Sequence, residues 1–335
     1  MAFSLKQLML KEMKRNRIRS LGSKNTLWPS QARVVTSEGK VLGQCLRASY
    51  WNKIGETITN PTSEEVTLMG YMGNQIEDGL IDIIKNNGLW EANNVKWQAH
   101  NLSGEVDVIV RVNEENEQGI LEEKLYIVEC KSCSGYFANK EVFGYNKGAG
   151  ANKQWVAGKP KDKHLMQAAI YAYVGKDKFE GTLVIYISRD EAKLMEFLIK
   201  VDNEGRIYIN EELEYRFTIN DILASYEVLQ TALDLQRLPE KDYKPVYSDA
   251  EVQMLYEAKE ISKTAFDGHN DKTKLYMDKE CSYCNYKDKC LNNYINTASE
   301  TPKKIELKKN NDWDFFDLPT NISEEKPAYI LSGSY

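Results

Sequence analysis

Apolar and polar positions alternate most informatively between Gly104 and Lys131. Gly104-Glu105-Val106-Asp107-Val108-Ile109-Val110 and Leu125-Tyr126-Ile127-Val128-Glu129-Cys130-Lys131 flank a polar insert over residues 113–119. Two β-branched and aromatic runs on either side of such an insert predict strands joined by a hairpin or longer loop. Residues 95–100 predict an edge strand leading into that pair. Around it the period changes to that of a helix. Residues 63–87 start with the acidic turn Ser63-Glu64-Glu65 and place Met69, Met72, Ile76, Leu80 and Ile84 near a 3.6-residue spacing. Residues 163–173 predict a second helix. Strands are expected over 179–188 and 196–201, extended by 206–210, and a long helix over 219–238 carries apolar residues at 219, 222, 223, 226 and 229. A linker lies between Pro239 and Pro245, and a further helix is expected over 251–262.

The remaining segments are less regular. Residues 3–20 predict a short amphipathic helix through Phe3, Leu5, Leu8, Met9 and Met13, and residues 26–43 read as loop and extended chain. A helix begins in the segment 43–51. Residues 138–163 are rich in lysine and glycine and contain Trp155. They suit a flap that offers a stacking ring and phosphate-seeking lysines, or a plain solvated loop.

Composition narrows the class. A chain of 335 residues can bury a sizeable core as one large or two small domains, and without glycine or proline excess it is expected to fold. No stretch approaches the roughly 20 apolar residues of a membrane span. The opening Met1-Ala2-Phe3-Ser4-Leu5-Lys6 shows no secretory leader, so a cytoplasmic protein is expected. Net charge is −6, which a simple rule for nucleic-acid binding does not anticipate. The charge is uneven, however. Lys6, Lys11, Lys14, Arg15, Arg17, Arg19 and Lys24 face one acid, Glu12, and Lys147, Lys153, Lys159, Lys161 and Lys163 form a second basic stretch.

Chemistry enters where charge interrupts the strands. Glu129 and Lys131 are two apart and project to one face of a strand; a neighbouring strand brings Asp107 within reach. Ionised groups there are costly to bury unless paired or metal-bound, which makes a carboxylate pair for a hard divalent cation with an ammonium beside it. A solvated lysine–glutamate ladder is the plainer alternative. Six cysteines are present, among them Cys45, Cys281, Cys284 and Cys290. Without a leader, disulfides are a poor first reading. The spacing Cys281-x-x-Cys284-x5-Cys290 curls round one metallic centre, and Cys45 is available as a fourth thiolate. Spacing alone makes structural zinc the default. Cys133 reads as an ordinary thiol.

Gly104-Glu105-Val106-Asp107 followed by Glu129-Cys130-Lys131 resembles the metal-binding core of the PD-(D/E)XK nucleases, in the RecB-like branch that includes Cas4-like and Dna2-like exonucleases. Gly73-Asn74-Gln75-Ile76-Glu77 is similar to the acidic form of that branch's first motif. Gln167 and Tyr171 match its Gln-x-x-x-Tyr signature, and Cys45 with Arg47, Tyr50 and Trp51 matches its upstream cluster cysteine. The resemblance spans roughly residues 43–292. It implies a restriction-endonuclease-like α/β fold, a mixed central sheet flanked by helices, with an iron–sulfur subdomain formed by the chain ends. The implied division is a basic N-terminal helix and extension (1–42), the nuclease core (43–240), a helical part with the cysteine cluster (241–294) and a polar, aromatic tail (295–335).

The implied activity is Mg²⁺- or Mn²⁺-dependent hydrolysis of DNA, preferably at single-stranded ends, in recombination or repair, in a host cytoplasm if the chain is viral. Asp107 and Glu129 would bind the metal, with Glu77 and the Cys130 carbonyl as further ligands; Lys131 would orient the attacking water, and Gln167 and Tyr171 would place the strand or support the site. Cys45, Cys281, Cys284 and Cys290 would hold a [4Fe–4S] cluster in place of zinc. A catalytically weak or inactive DNA-binding or assembly subunit of a replication, recombination or packaging complex is the alternative, as is a zinc-bound structural protein. Residues 311–319, with Trp313, Phe315 and Phe316 among aspartates, would then dock a protein partner or pack back. The chain has no Gly-x-x-x-x-Gly-Lys-Ser/Thr loop, so unwinding would fall to another chain.

Overall fold

The computed structural model describes residues 26–99, 101–116, 118–148 and 153–296, together with Met13. The expected amphipathic helix over 3–20, apart from Met13, and the aromatic tail segment 311–319 lie outside the described residues. The chain forms two compact units. One is built from described residues up to Gly43 and from Glu64–Tyr226, the other from Gln44–Ser63 and the described residues after Tyr226.

The first unit is a mixed α/β architecture, a central sheet flanked by helices. A small hairpin, β1 (Arg33–Val35) and β2 (Val41–Gly43), precedes the sheet. The sheet strands are β3 (Trp90–Ala99), β4 (Leu102–Glu115), β5 (Leu121–Cys133), β8 (Thr182–Ser188), β9 (Leu194–Val201), β10 (Arg206–Ile209) and β11 (Leu213–Thr218). Their spatial order is β11-β10-β9-β8-β5-β4-β3. β4 and β5 are the expected antiparallel pair, in register from Glu115↔Leu121 to Val108↔Val128. β5 and β8 are parallel, with Glu129 opposite Val184 and Lys131 opposite Tyr186. A parallel pair needs a crossover. Here it comprises α3 (Tyr136–Phe143), the hairpin β6 (Tyr145–Lys147)–β7 (Gln154–Val156) and α4 (Asp162–Val174).

Strand alternation divides the two faces. α2 (Glu64–Asn86) lays Ile81 and Ile84 on Val108, Val110, Tyr126 and Val128. The odd-numbered neighbours, Asp107 and Glu129, therefore turn to the opposite face, where α4 packs. Leu165, Met166, Ala168, Ala169 and Ile170 of α4 are fully buried, and its alanines let the helix approach β8 and β9 closely. The 3.6-residue pattern of α2 marks a buried face only in its second half, since Leu68, Met69 and Met72 are exposed. The stretch 138–163 also differs from a simple flap: it opens as the end of α3 and continues into the β6–β7 hairpin.

The second unit contains α1 (Leu46–Lys53), the short helices α6 (Asp249–Glu257), α7 (Lys263–Asn270), α8 (Lys279–Ser282) and α9 (Lys287–Asn296). α5 (Ile219–Asp234) contains the boundary between the units and stops short of the expected 238. α6 starts two residues earlier than its apolar pattern implies because Ser248 caps it. The Glu251 amide donates to Ser248 Oγ at 3.4 Å and Glu251 Oε2 accepts from the Ser248 amide at 2.9 Å. Backbone bonds from Thr59 and Asn60 to the Asn285 carbonyl join the two stretches of this unit. Among the described residues, no helix is long and apolar enough to cross a membrane.

Gly104 explains why the sheet needs a glycine at that point. Its cross-strand partner Trp97 lies over it, and a Cβ added at 104 would stand 2.7–2.9 Å from the indole. The same indole meets Tyr171 edge-on at 5.8 Å between centroids. Gly104→Ala is expected to destabilise the protein by about 1–3 kcal/mol through overpacking; chemical denaturation measures the loss and Trp97 fluorescence locates it.

Candidate active site

The site forms where the β4–β5 ladder stops. Pairing ends at Val108↔Val128, and past that point β4 leaves β5 while staying paired with β3. The Cys130 amide then donates to Asp107 Oδ2 at 2.8 Å, so a side chain replaces the missing ladder partner. One residue earlier on β5 is Glu129, whose side chain is 2% exposed. Lys131 Nζ donates to Glu129 Oε1, and Gln167 Nε2 donates to the same oxygen at 2.7 Å. Among the described residues, the other oxygen, Oε2, is buried with no hydrogen-bond partner.

Gln167 and Tyr171 are one turn apart on α4, and their roles are linked. The Gln167 amide also donates to Tyr171 Oη at 3.0 Å, and Tyr171 Oη donates to the Glu105 carbonyl at 3.1 Å. Tyr171 is 3% exposed. Its hydroxyl is thus a strut between β4 and Gln167, and contact with a nucleic-acid strand, one of the two roles expected for it, is closed to it. The supporting role remains. This Trp97–Tyr171–Gln167 chain was not legible in the sequence beyond the Gln-x-x-x-Tyr spacing.

Glu77 reaches the group from α2, on the other face of the sheet. Burial first, and then the charge of Asp107, raise its pKa to about 7. Asp107 is raised by burial, against the pull of Lys131 and the Cys130 amide. Glu129 is raised to about 8 by burial, which outweighs the attraction of Lys131, with Asp107 adding repulsion. For Lys131, burial favours the neutral amine, but Glu129 and Asp107 overcome it and hold the ammonium. Fully ionised, the three carboxylates against one ammonium would leave an excess close to the charge of one divalent cation; without such a cation the raised pKa values keep part of that charge neutralised by protons. Cys130 contributes its amide to Asp107; its thiol is buried and raised to about 12 by burial. Cys133 is buried, with Sγ 3.5 Å from Asn139 Oδ1, as expected for an ordinary thiol.

In the second unit, Cys45, Cys281, Cys284 and Cys290 line one small hollow together with Arg47, Lys241 and Lys287. Cys45 is the N-cap of α1 without a side-chain cap hydrogen bond, the nearby amides of Ala48 and Arg47 lowering its pKa; the Tyr286 amide donates to Cys284 Sγ at 3.4 Å. Such donors favour a thiolate. Burial opposes them, raising Cys45 to about 11 and Cys281 to about 12, and neighbouring thiols raise Cys281 further. Among the described residues, no three His, Cys, Asp or Glu side chains form a ready-made metal-holding group. The carboxylates and the thiols are each gathered without closing on a common point.

No family model matches the chain, and no curated protein matches it. A solved structure described as "Crystal structure of SSO0001" is similar at 15% identity with a TM-score of 0.39, covering 75% of this chain and 93% of that one. At that level the likeness carries nothing about chemistry.

The raised carboxylates have a consequence for stability. A group whose folded pKa exceeds its unfolded value stabilises the fold below the unfolded value and loses that contribution as pH rises through the folded one. For Glu129 the window runs from 4.5 to about 8. In buffer free of divalent cations, denaturation midpoints are expected to fall across that window, and Glu129→Gln, which mimics the protonated acid, is expected to flatten the fall.

Proposed function

We propose that the chain is a metal-dependent DNA nuclease of the PD-(D/E)XK type, hydrolysing phosphodiester bonds and preferring single-stranded ends. The observation that supports this most is the unpartnered Glu129 Oε2, buried beside Asp107 and Lys131 with Glu77 close by. A protein does not bury a bare carboxylate oxygen among other carboxylates to its own benefit. An all-oxygen donor set with excess negative charge suits a hard cation such as Mg²⁺ or Mn²⁺. Glu77, Asp107 and Glu129 would hold it. Once bound, such an ion supplies Lewis-acid polarisation and a more acidic water. The Cys130 backbone is already engaged through its amide, which keeps Asp107 aimed into the site.

The protein's own groups have distinct tasks. Gln167 and Lys131 fix one oxygen of Glu129, so its second oxygen keeps one direction. Lys131 spends one of its three donors on Glu129 and offers the others to the attacking water and to charge developing on the phosphate. Tyr171 and Trp97 hold Gln167 from behind. The antiparallel β3-β4-β5 set joined to a parallel β8 through α4 supports the restriction-endonuclease-like reading of the fold.

The four thiols around one hollow support a [4Fe–4S] cluster in the second unit. Soft donors from α1 and from the α8–α9 segment suit it, and Arg47, Lys241 and Lys287 would offset its negative charge. Zinc would use the same donors, and iron and sulfide content distinguishes the two.

Two measurements test this reading. Labelled single- and double-stranded DNA with Mg²⁺ or Mn²⁺ is expected to be cut by the wild type, with losses of about 100-fold or more for Lys131→Ala and Asp107→Ala. Equal activity in all three, or none, would end the nuclease assignment. Anaerobically purified protein is expected to carry iron and sulfide with a broad visible absorbance, lost together with thermal stability in Cys281→Ser; zinc in place of iron overturns the cluster.

A further inference from the structure

The crossover between β5 and β8 presents exposed rings that the chemistry described above does not use. α3 opens shortly after Lys131, and the Cα atoms of Lys131 and Tyr136 are at most ~17 Å apart even with the chain fully extended. Tyr136 and Phe137 are 62% and 83% exposed and meet edge-on at 5.4 Å between centroids. One turn further on, Lys140 Nζ lies 4.2 Å from the Tyr136 centroid and 4.7 Å from that of Tyr145 on β6. Neutral rings hold that ammonium in place without cancelling its charge.

The group stands on a fixed base. The Gly135 amide and Asn139 Nδ2 donate to Asp190 at 2.7 and 2.9 Å, and the Ser188 hydroxyl lies 2.9 Å from the same carboxylate. Asn139 and Ser188 are buried, so this network ties the start of α3 to the end of β8 and surrounds the nearby acid with donors. The charge about it is positive: from 140 to 161 the chain carries Lys140, Lys147, Lys153, Lys159 and Lys161 against one acid, Glu141. Rings with a cation held between them suit a strand of unpaired bases, since a base stacks on a ring while a phosphate beside it meets an ammonium. An acidic peptide would satisfy the charge as well. Position favours nucleic acid, because β5 leads from Glu129 and Lys131 directly to the rings. Trp155 is exposed too, but it pairs across the hairpin with Asn146 whereas Tyr145 pairs with Val156, so the indole projects from the other face.

We infer that Tyr136, Phe137, Lys140 and Tyr145 form a stacking platform for single-stranded nucleic acid, gripping unpaired bases of the strand whose phosphodiester lies at Glu129 and Lys131. This rests on the nuclease reading for the fate of the strand, but not for its binding.

The test is binding of a fluorescent single-stranded oligonucleotide in Ca²⁺ buffer over a range of salt concentrations. Wild type is compared with Phe137→Ala, Phe137→Trp, Lys140→Gln and Trp155→Ala, each checked by thermal unfolding. Phe137→Ala is expected to weaken binding ~10-fold, whereas Phe137→Trp keeps it. An abasic oligonucleotide of the same length has the phosphates without the bases, and it is expected to bind wild type and Phe137→Ala equally. Lys140→Gln is expected to weaken both oligonucleotides and to flatten the log K against log salt slope by about 0.7. Trp155→Ala is expected to bind like wild type. Unchanged affinity in correctly folded Phe137→Ala overturns the platform, as does an equal loss on the abasic strand. A loss in Trp155→Ala matching that in Phe137→Ala also overturns it, by making exposed ring area at large responsible. Absence of cleavage by the wild type with Mn²⁺ overturns the nuclease reading instead, and the two oligonucleotides still decide the rings.

Discussion

A carboxylate sealed inside a sheet is the constraint around which the first unit is arranged. Glu129 is placed there by parity: Val128 belongs to the α2 core, so the next residue must face α4. Its lone charge in that position would cost several kcal/mol. Lys131 and Gln167 offset part of the cost at one oxygen, and nothing in the described protein offsets it at the other. The helix that supplies Gln167 is itself held by Tyr171, and Tyr171 by the Glu105 carbonyl and the Trp97 ring. Each contact beyond the carboxylate restricts a group that restricts the carboxylate.

Much of this architecture was legible in the sequence for a physical reason. The β4–β5 pair announced itself because β-branched runs broken by a polar insert have few other uses, and α4 because its apolar residues keep a helical period. Asp107, Glu129 and Lys131 stood out because charge inside such runs is expensive. What stayed hidden depends on tertiary placement. Local pattern does not say that Trp97 lies across Gly104, that β4 leaves β5 at Val108, or that Tyr171 is walled in. The α2 pattern misled in its first half, because a 3.6-residue stripe records apolar spacing and not what covers it: Met69 and Met72 fit the stripe and face solvent. Strand β11 was missed because Leu213-Glu214-Tyr215-Arg216 is a polar edge strand, held by pairing with β10 more than by burial.

The second unit follows a different logic. Its described helices are mostly short, its apolar burial is modest, and its chain comes from two stretches separated in sequence by residues 64–226. Such a unit gains more than most from a centre that ties distant residues together. The thiols sit where that tie would act, one at the start of α1 and three around α8 and α9. An amide donor at Cys284 is already oriented towards sulfur.

The parallel pairing of β5 with β8 has a consequence in time. Lys131 and Tyr186 are neighbours in the sheet but are separated by the whole α3–hairpin–α4 crossover. Loop-closure entropy must be overcome before such a pairing is rewarded, so contacts of this kind are established late in folding. A chain still emerging from the ribosome has Glu129 long before it has the strand and helix that wall it in. Until the residues of β8 have been synthesised, that carboxylate is an ordinary hydrated acid, and its burial waits on completion of the unit.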